Sequence, residues 1–227
     1  MNKHCTMMMI GSGLLVFQIA WAAQEQMDTH EHHAAMHMHE HHSGGVMHMS
    51  EDEHAAHRAM MNSAHYTISN KEYDIPDVEL IDANGTTVPL HTILDTDEPV
   101  ALNFIFTTCT TICPVMTATF AQMQRKLGDK ADNLRVVSIS IDPEYDRPKV
   151  LKAYAEQFHA GSNWIFLTGD SKDIIAVMQG FETFTGSKMN HQPVTLLRKT
   201  QDQSWLRVDG LASSGDLAEL VDQRLFN

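Results

Sequence analysis

Val100-Ala101-Leu102-Asn103-Phe104-Ile105-Phe106-Thr107-Thr108-Cys109-Thr110-Thr111-Ile112-Cys113-Pro114 is the stretch on which the fold turns. Val100 to Phe106 is an apolar run, the pattern of a strand buried on both faces. Pro114 to Leu127 then reads as a helix, with Val115, Phe120, Met123 and Leu127 on a broad apolar side. The two cysteines therefore lie where a buried strand turns into a helix. Loops at the carboxyl ends of strands are the usual place for ligands in open α/β sheets.

Downstream, strands and helices alternate. Leu134 to Ile141 reads as a second buried strand, and Asp146-Arg147-Pro148 as a helix start with Asp146 as the cap, running to about Phe158. Trp164 to Leu167 is a short strand, and Ser171 to Phe181 a helix. Val194 to Leu197 and Trp205 to Leu211 form a hairpin, and Ser213 or Ser214 caps a last helix ending near Leu225. Upstream, Val78 to Asp82 and Thr87 to Leu90 flank the turn signal Asn84-Gly85, giving an added N-terminal hairpin. The expected fold is α/β: a mainly parallel central sheet flanked by helices, made partly antiparallel by the terminal hairpin.

The rest of the chain is of a different kind. Lys3, an apolar run from Met7 to Ala20, and the small residues around Ala22-Ala23 follow the order of a secretory signal, so residues 1–23 are expected to direct export. An uncleaved membrane anchor is the alternative. Either places the remaining residues in an oxidising compartment, such as the periplasm. Residues 24–65 hold eleven histidines: His30, His32, His33, His37, His39, His41, His42, His48, His54, His57 and His65. They also hold seven methionines, among them Met36, Met38, Met47 and Met49. With almost no aromatic or branched apolar residues, this segment is predicted to be a disordered tail, followed by a domain at 66–227. Thioether donors suit Cu(I) and imidazole also takes Cu(II), so the tail is a candidate secondary copper store. A solvated low-complexity tail with no metal is the plainer reading. The formal charge of −13 argues against a nucleic-acid partner, which needs clustered Lys and Arg.

Cysteines four apart share a helix face, with Cβ atoms roughly 5–6 Å apart. Such a pair can close a disulfide, exchange disulfides, or pinch a soft metal, and a helix N-terminus makes thiolate available for each. Two thiolates alone leave a metal under-coordinated. Among the histidines beyond His65, His91 follows a hairpin strand and His159 sits at a helix C-terminus. His191 lies in the polar loop before Val194, open between a ligand and a solvated loop histidine. Two Cys and one His would hold copper in either oxidation state.

These residues resemble the Sco/SenC family: Phe104 to Cys109, then Cys113-Pro114, then Val136-Val137-Ser138-Ile139-Ser140-Ile141-Asp142-Pro143, then the distant His191. The resemblance covers about residues 75 to 225. It implies a thioredoxin-like fold, copper held by Cys109, Cys113 and His191, and delivery to the binuclear copper site of cytochrome c oxidase. The implied partner is the copper-bearing subunit of that oxidase or another copper chaperone. It also implies that Asp142 and Asp146 belong to a loop near the site. The family usually has Pro after the first cysteine, where this chain has Thr110, and Asp before the histidine and Ser or Thr after it, where this chain has Asn190 and Gln192. The competing function is a periplasmic thiol–disulfide oxidoreductase acting on cysteines of an oxidase subunit, with Cys109 attacking and Cys113 resolving. A peroxidase fits less well: Thr110-Thr111-Ile112-Cys113 matches a Thr-x-x-Cys element, but Phe106 stands where its proline belongs.

Overall fold

The computed structural model describes residues 66–227. The expected signal, and the expected metal-binding tail with His30, His32, His33, Met36, His37, Met38, His39, His41, His42, Met47, His48 and Met49, lie outside the described residues. Among the described residues no helix is long and apolar enough to cross a membrane.

In chain order the elements are strands β1 (Tyr66–Lys71), β2 (Glu79–Asp82) and β3 (Thr87–Pro89), helix α1 (Leu90–Leu94), β4 (Val100–Ile105), α2 (Ile112–Leu127), β5 (Arg135–Ser140), α3 (Pro148–Gln157), β6 (Trp164–Thr168), α4 (Ser171–Gly180), β7 (Val194–Arg198), β8 (Trp205–Gly210) and α5 (Ser214–Val221). They build one eight-stranded sheet in the order β1-β8-β7-β4-β5-β6-β2-β3. The parallel part is confined to β4, β5 and β6, and every other pairing is antiparallel. The expected N-terminal hairpin, β2–β3, docks antiparallel on β6 at one edge. The opposite edge is closed by β1, which pairs with β8 over its whole length.

β4 is buried at every position, which explains its apolar run. Aromatic side chains fill the space around the sheet. Phe181 meets Phe104 at 5.9 Å and Trp205 at 5.5 Å, and Trp164 meets Phe120 at 5.9 Å. Ring pairs at these separations add to the apolar burial that holds the layers together.

The register gathers four segments at one end of the sheet. Ile105, where β4 ends, pairs with Ser140, where β5 ends. Asn103 pairs with Thr195, just inside β7, and Val194 pairs with Asp209 at the close of β8. Gly210 in turn pairs with Tyr66, the first residue of β1. The cysteine loop, the loop after β5, the His191 loop and the start of β1 therefore share that end.

Three expectations need correction. Helix α2 begins at Ile112, so Cys109 lies in the preceding loop rather than on the helix face. Val115 is half exposed and leaves the apolar side to Met116, Phe120 and Met123. Arg147, not Asp146, stands at the start of α3, because the Asp146 carboxylate is engaged elsewhere. Ser213 does cap the last helix, its hydroxyl accepting from the Asp216 N–H at 3.1 Å. After Val221 the chain continues in a wider turn to Phe226.

Candidate functional site

The cysteine loop is shaped by main-chain bonds. Cys109 N–H donates to the Phe106 carbonyl at 3.2 Å, folding the chain back as it leaves β4. The Cys113 N–H then points at Cys109 Sγ from 3.5 Å, and the Thr111 hydroxyl lies 3.6 Å from the same sulfur. The sulfur thus sits over the open N–H groups at the start of α2, where negative charge is favoured. Neither cysteine is in a disulfide.

Their acidities are split. Burial alone would raise the Cys109 thiol, but the N–H groups and the Thr111 hydroxyl outweigh it and bring Cys109 down to about 7. Cys113 is fully buried within the first turn of α2. That burial, with Cys109 and Asp146 nearby, pushes Cys113 up to about 12. Beneath it, the Thr117 hydroxyl donates to the Cys113 carbonyl at 2.9 Å and lies 3.0 Å from the Tyr154 hydroxyl.

Two aspartates brace the loops. Asp146 is fully buried. Its Oδ2 accepts from the Thr107 N–H at 3.0 Å and from the Ser140 hydroxyl at 2.6 Å, while the Thr107 hydroxyl donates to Oδ1. This clasp ties the cysteine loop to the end of β5. Asp142 receives Lys188 Nζ at 2.5 Å, tying the His191 loop to the same place. Lys188 also lies 5.7 Å from the centre of the Phe106 ring. A lysine in a polar loop carried no signal in the sequence, and neither did Thr107.

His191 is not a solvated loop residue. It is 6% exposed, and its Nε2 lies 3.0 Å from the Phe104 carbonyl. A carbonyl only accepts, so Nε2 carries the proton and Nδ1 presents a bare lone pair. That Nδ1 is buried without a partner. Burial lowers the imidazole pKa below its usual value, opposed only by the bond to Phe104, so the ring stays neutral near pH 7. A neutral ring with one nitrogen fixed by a carbonyl and the other free is the arrangement metal-binding histidines adopt. Cys109 and His191 line one cleft of about 200 Å³, with Phe106, Lys188 and Met189. Cys109 and Cys113 are neighbours, but among the described residues no three His, Cys, Asp or Glu side chains are already gathered in position for a metal ion. His91 instead pairs with Asp95, and His159 takes a left-handed backbone conformation beyond α3, so neither joins the cleft.

A family model described as SCO1/SenC matches residues 67–225, which includes every residue of the cleft. The chain belongs to the SCO1/SenC family. Among similar proteins, the SCO1 protein homolog of Bacillus subtilis is 38% identical over 104 residues, covering 45% of this chain and 53% of that protein. A Stutzerimonas stutzeri protein whose name proposes copper binding is 32% identical over 120 residues, covering 51% of this chain and 55% of that one. The chain thus spans about half the length of the curated relatives it matches. Among solved structures, BsSco, described as a member of the Sco family of cytochrome c oxidase assembly proteins with a disulfide switch, superposes with a TM-score of 0.57 at 29% identity. That match covers 68% of this chain and 95% of BsSco. The copper-bound ScoI of Bradyrhizobium japonicum gives a TM-score of 0.56 at 23% identity over 67% of this chain and all of that one, a likeness of fold. SCO1/SenC membership and these neighbours agree with a thioredoxin-like mixed sheet flanked by helices.

Proposed function

We propose that this chain is an exported copper carrier that holds one copper ion through Cys109, Cys113 and His191. It delivers that ion to the binuclear copper site of cytochrome c oxidase, directly to the copper-bearing subunit or through another copper chaperone. The observation that carries the reading is the bare, buried Nδ1 of His191 in the cleft of Cys109. A buried lone pair without a partner costs free energy unless something fills the place. Two thiolates and an imidazole are a soft set, which selects copper over calcium or magnesium. Membership of SCO1/SenC, and the descriptions of BsSco and the Stutzerimonas protein, point the same way. Loading must draw the ligands together and displaces the Cys113 proton to solvent, so affinity rises with pH.

The tail fits this reading. β1 begins at the cleft end of the sheet, three strands from β4, which is about 14 Å at the usual strand spacing. Only 16 residues separate Met49 from Tyr66, a span of at most about 60 Å when drawn out. His30 to Met49 would then act as a tethered copper store whose hand-over is intramolecular.

The second reading, an exported thiol–disulfide oxidoreductase, is favoured by the acidity split. An exposable thiolate near 7 beside a buried thiol near 12 is the pairing of an attacking and a resolving cysteine. His191→Ala separates the two. A carrier loses copper affinity by at least about a hundredfold, the upper end of what losing a partner that merely orients a ligand costs, while its disulfide exchange survives. An unchanged copper affinity refutes the ligand set and leaves the redox pair.

A further inference from the structure

The three expected ligands share a handicap towards an ion arriving from another protein or from the tail. Cys113 is fully buried, His191 is 6% exposed and Cys109 8% exposed. Bound copper that had to leave its donor before meeting any of them would cross water as a free ion. An exposed soft donor at the cleft removes that step.

Met189 is such a donor. It lines the same cleft as Cys109 and His191, two residues before the histidine, and it is 78% exposed. The other described methionines, Met116, Met123 and Met178, are all buried in the ordinary way of apolar side chains. Nor is its exposure the accident of a loose loop. The Met189 N–H donates to Ser187 Oγ at 3.3 Å, and the Asn190 N–H to the Ser187 carbonyl at 3.0 Å. Lys188 on one side is held by Asp142, and His191 on the other by the Phe104 carbonyl. A thioether is thus presented to solvent by a turn pinned on both sides.

We propose that Met189 is the receiving ligand of the cleft: its thioether takes Cu(I) from the incoming donor and passes it inward to Cys109, then to Cys113 and His191. The inference rests on the copper reading above. The hand-over is a series of ligand exchanges. A bond forms between Met189 Sδ and copper as one bond to the donor breaks. Copper stays in the +1 state, and the neutral thioether neither gains nor loses a proton. The Cys109 thiolate then displaces the thioether, and the Cys113 thiol releases its proton to solvent as it binds. Reversal uses the same ligand on the way out. Met189 therefore sets how fast copper moves, not how tightly it is held.

The test compares the full chain with Met189→Leu, which keeps the size and loses the sulfur, and Met189→His, which restores a ligand. Cu(I) is supplied without oxygen as its bicinchoninate complex. Arrival is read by protection of Cys109 from rapid alkylation, mapped by mass spectrometry, so copper held by other histidines and methionines does not register. Release is read by transfer to excess bicinchoninate. Met189→Leu is expected to slow arrival and release alike by about tenfold, with affinity held within about twofold and the rates recovered in Met189→His. Unchanged rates in Met189→Leu, or a loss confined to affinity, overturn the proposal. If Cu(I) never protects Cys109 of the unsubstituted chain, the copper reading itself fails.

Discussion

Alkylation of the two cysteines puts the acidity split to a direct test. Only the thiolate reacts, so the rate at each cysteine follows its ionised fraction. With Cys109 at about 7, about half of it is thiolate at pH 7, and about a tenth at pH 6. A free cysteine near 8.5 is only about 3% ionised at pH 7, some 15-fold less. Most of that advantage does not reach the rate, because a less basic thiolate is a weaker nucleophile. At a Brønsted slope of about 0.45, the lower basicity costs about fivefold, leaving a gain of only about threefold. The midpoint of the pH profile is therefore the informative quantity, not the speed at one pH. For an acid strengthened by folding, the profile moves to lower pH. In the reduced, copper-free protein, Cys109 alkylation should climb with pH around a midpoint of about 7, the value its surroundings dictate. Cys113, pushed up to about 12 and buried, should stay unmodified across the same range. Iodoacetamide with peptide mapping measures both. A Cys109 midpoint at or above that of a free thiol, or Cys113 reacting first, would show that the sulfur over the start of α2 does not feel those N–H groups.

Two stability experiments probe the frame around the cleft. Asp146→Ala leaves the buried Ser140 hydroxyl and the partly buried N–H and hydroxyl of Thr107 without their acceptor, and should lower unfolding free energy in urea by about 3 kcal/mol; a loss below about 1 kcal/mol would mean the clasp is not needed. Gly180→Ala places a Cβ 2.8 Å from the Asp74 carbonyl oxygen and 3.1 Å from Pro76 Cδ, where main chain rather than a pliable side chain must give way, so about 1–3 kcal/mol should be lost in the same titration.

The parts of the fold written in hydrophobic pattern were legible in the sequence. β4, β5, the β7–β8 hairpin and the β2–β3 hairpin all sit where apolar runs or turn chemistry placed them. β1 was not legible: most of its side chains face solvent, and it is a strand because β8 offers it a ladder. The reach of parallel pairing was also overstated, since alternation of strands and helices does not say which way β2 or β7 will run.

At the cleft, the chemistry could be read and the geometry could not. Asp146 followed by Arg147-Pro148 has the composition of a helix cap, yet its carboxylate turns to Thr107, whose partner lies 39 residues away in the chain. No local rule sees such a contact. Cys109 missed the helix for a related reason: the bond from its N–H to Phe106 spends those residues on a turn before the helix opens. For His191, spacing left a ligand and a solvated residue equally open. Only the Phe104 carbonyl, 87 residues away, decides which of its nitrogens is free.

The shared end of the sheet also bears on how the protein can be handled. α2 starts beside the cleft, and Lys130, just past its far end, is paired with Asp222. The last residues therefore sit at the opposite pole from the thiols, while Tyr66 sits at the same pole. A label, surface linkage or purification tag joined after residue 227 leaves the cleft clear. A polyhistidine tag placed ahead of Tyr66 would instead add further imidazoles to those the sequence already carries there, and distort any titration of the metal.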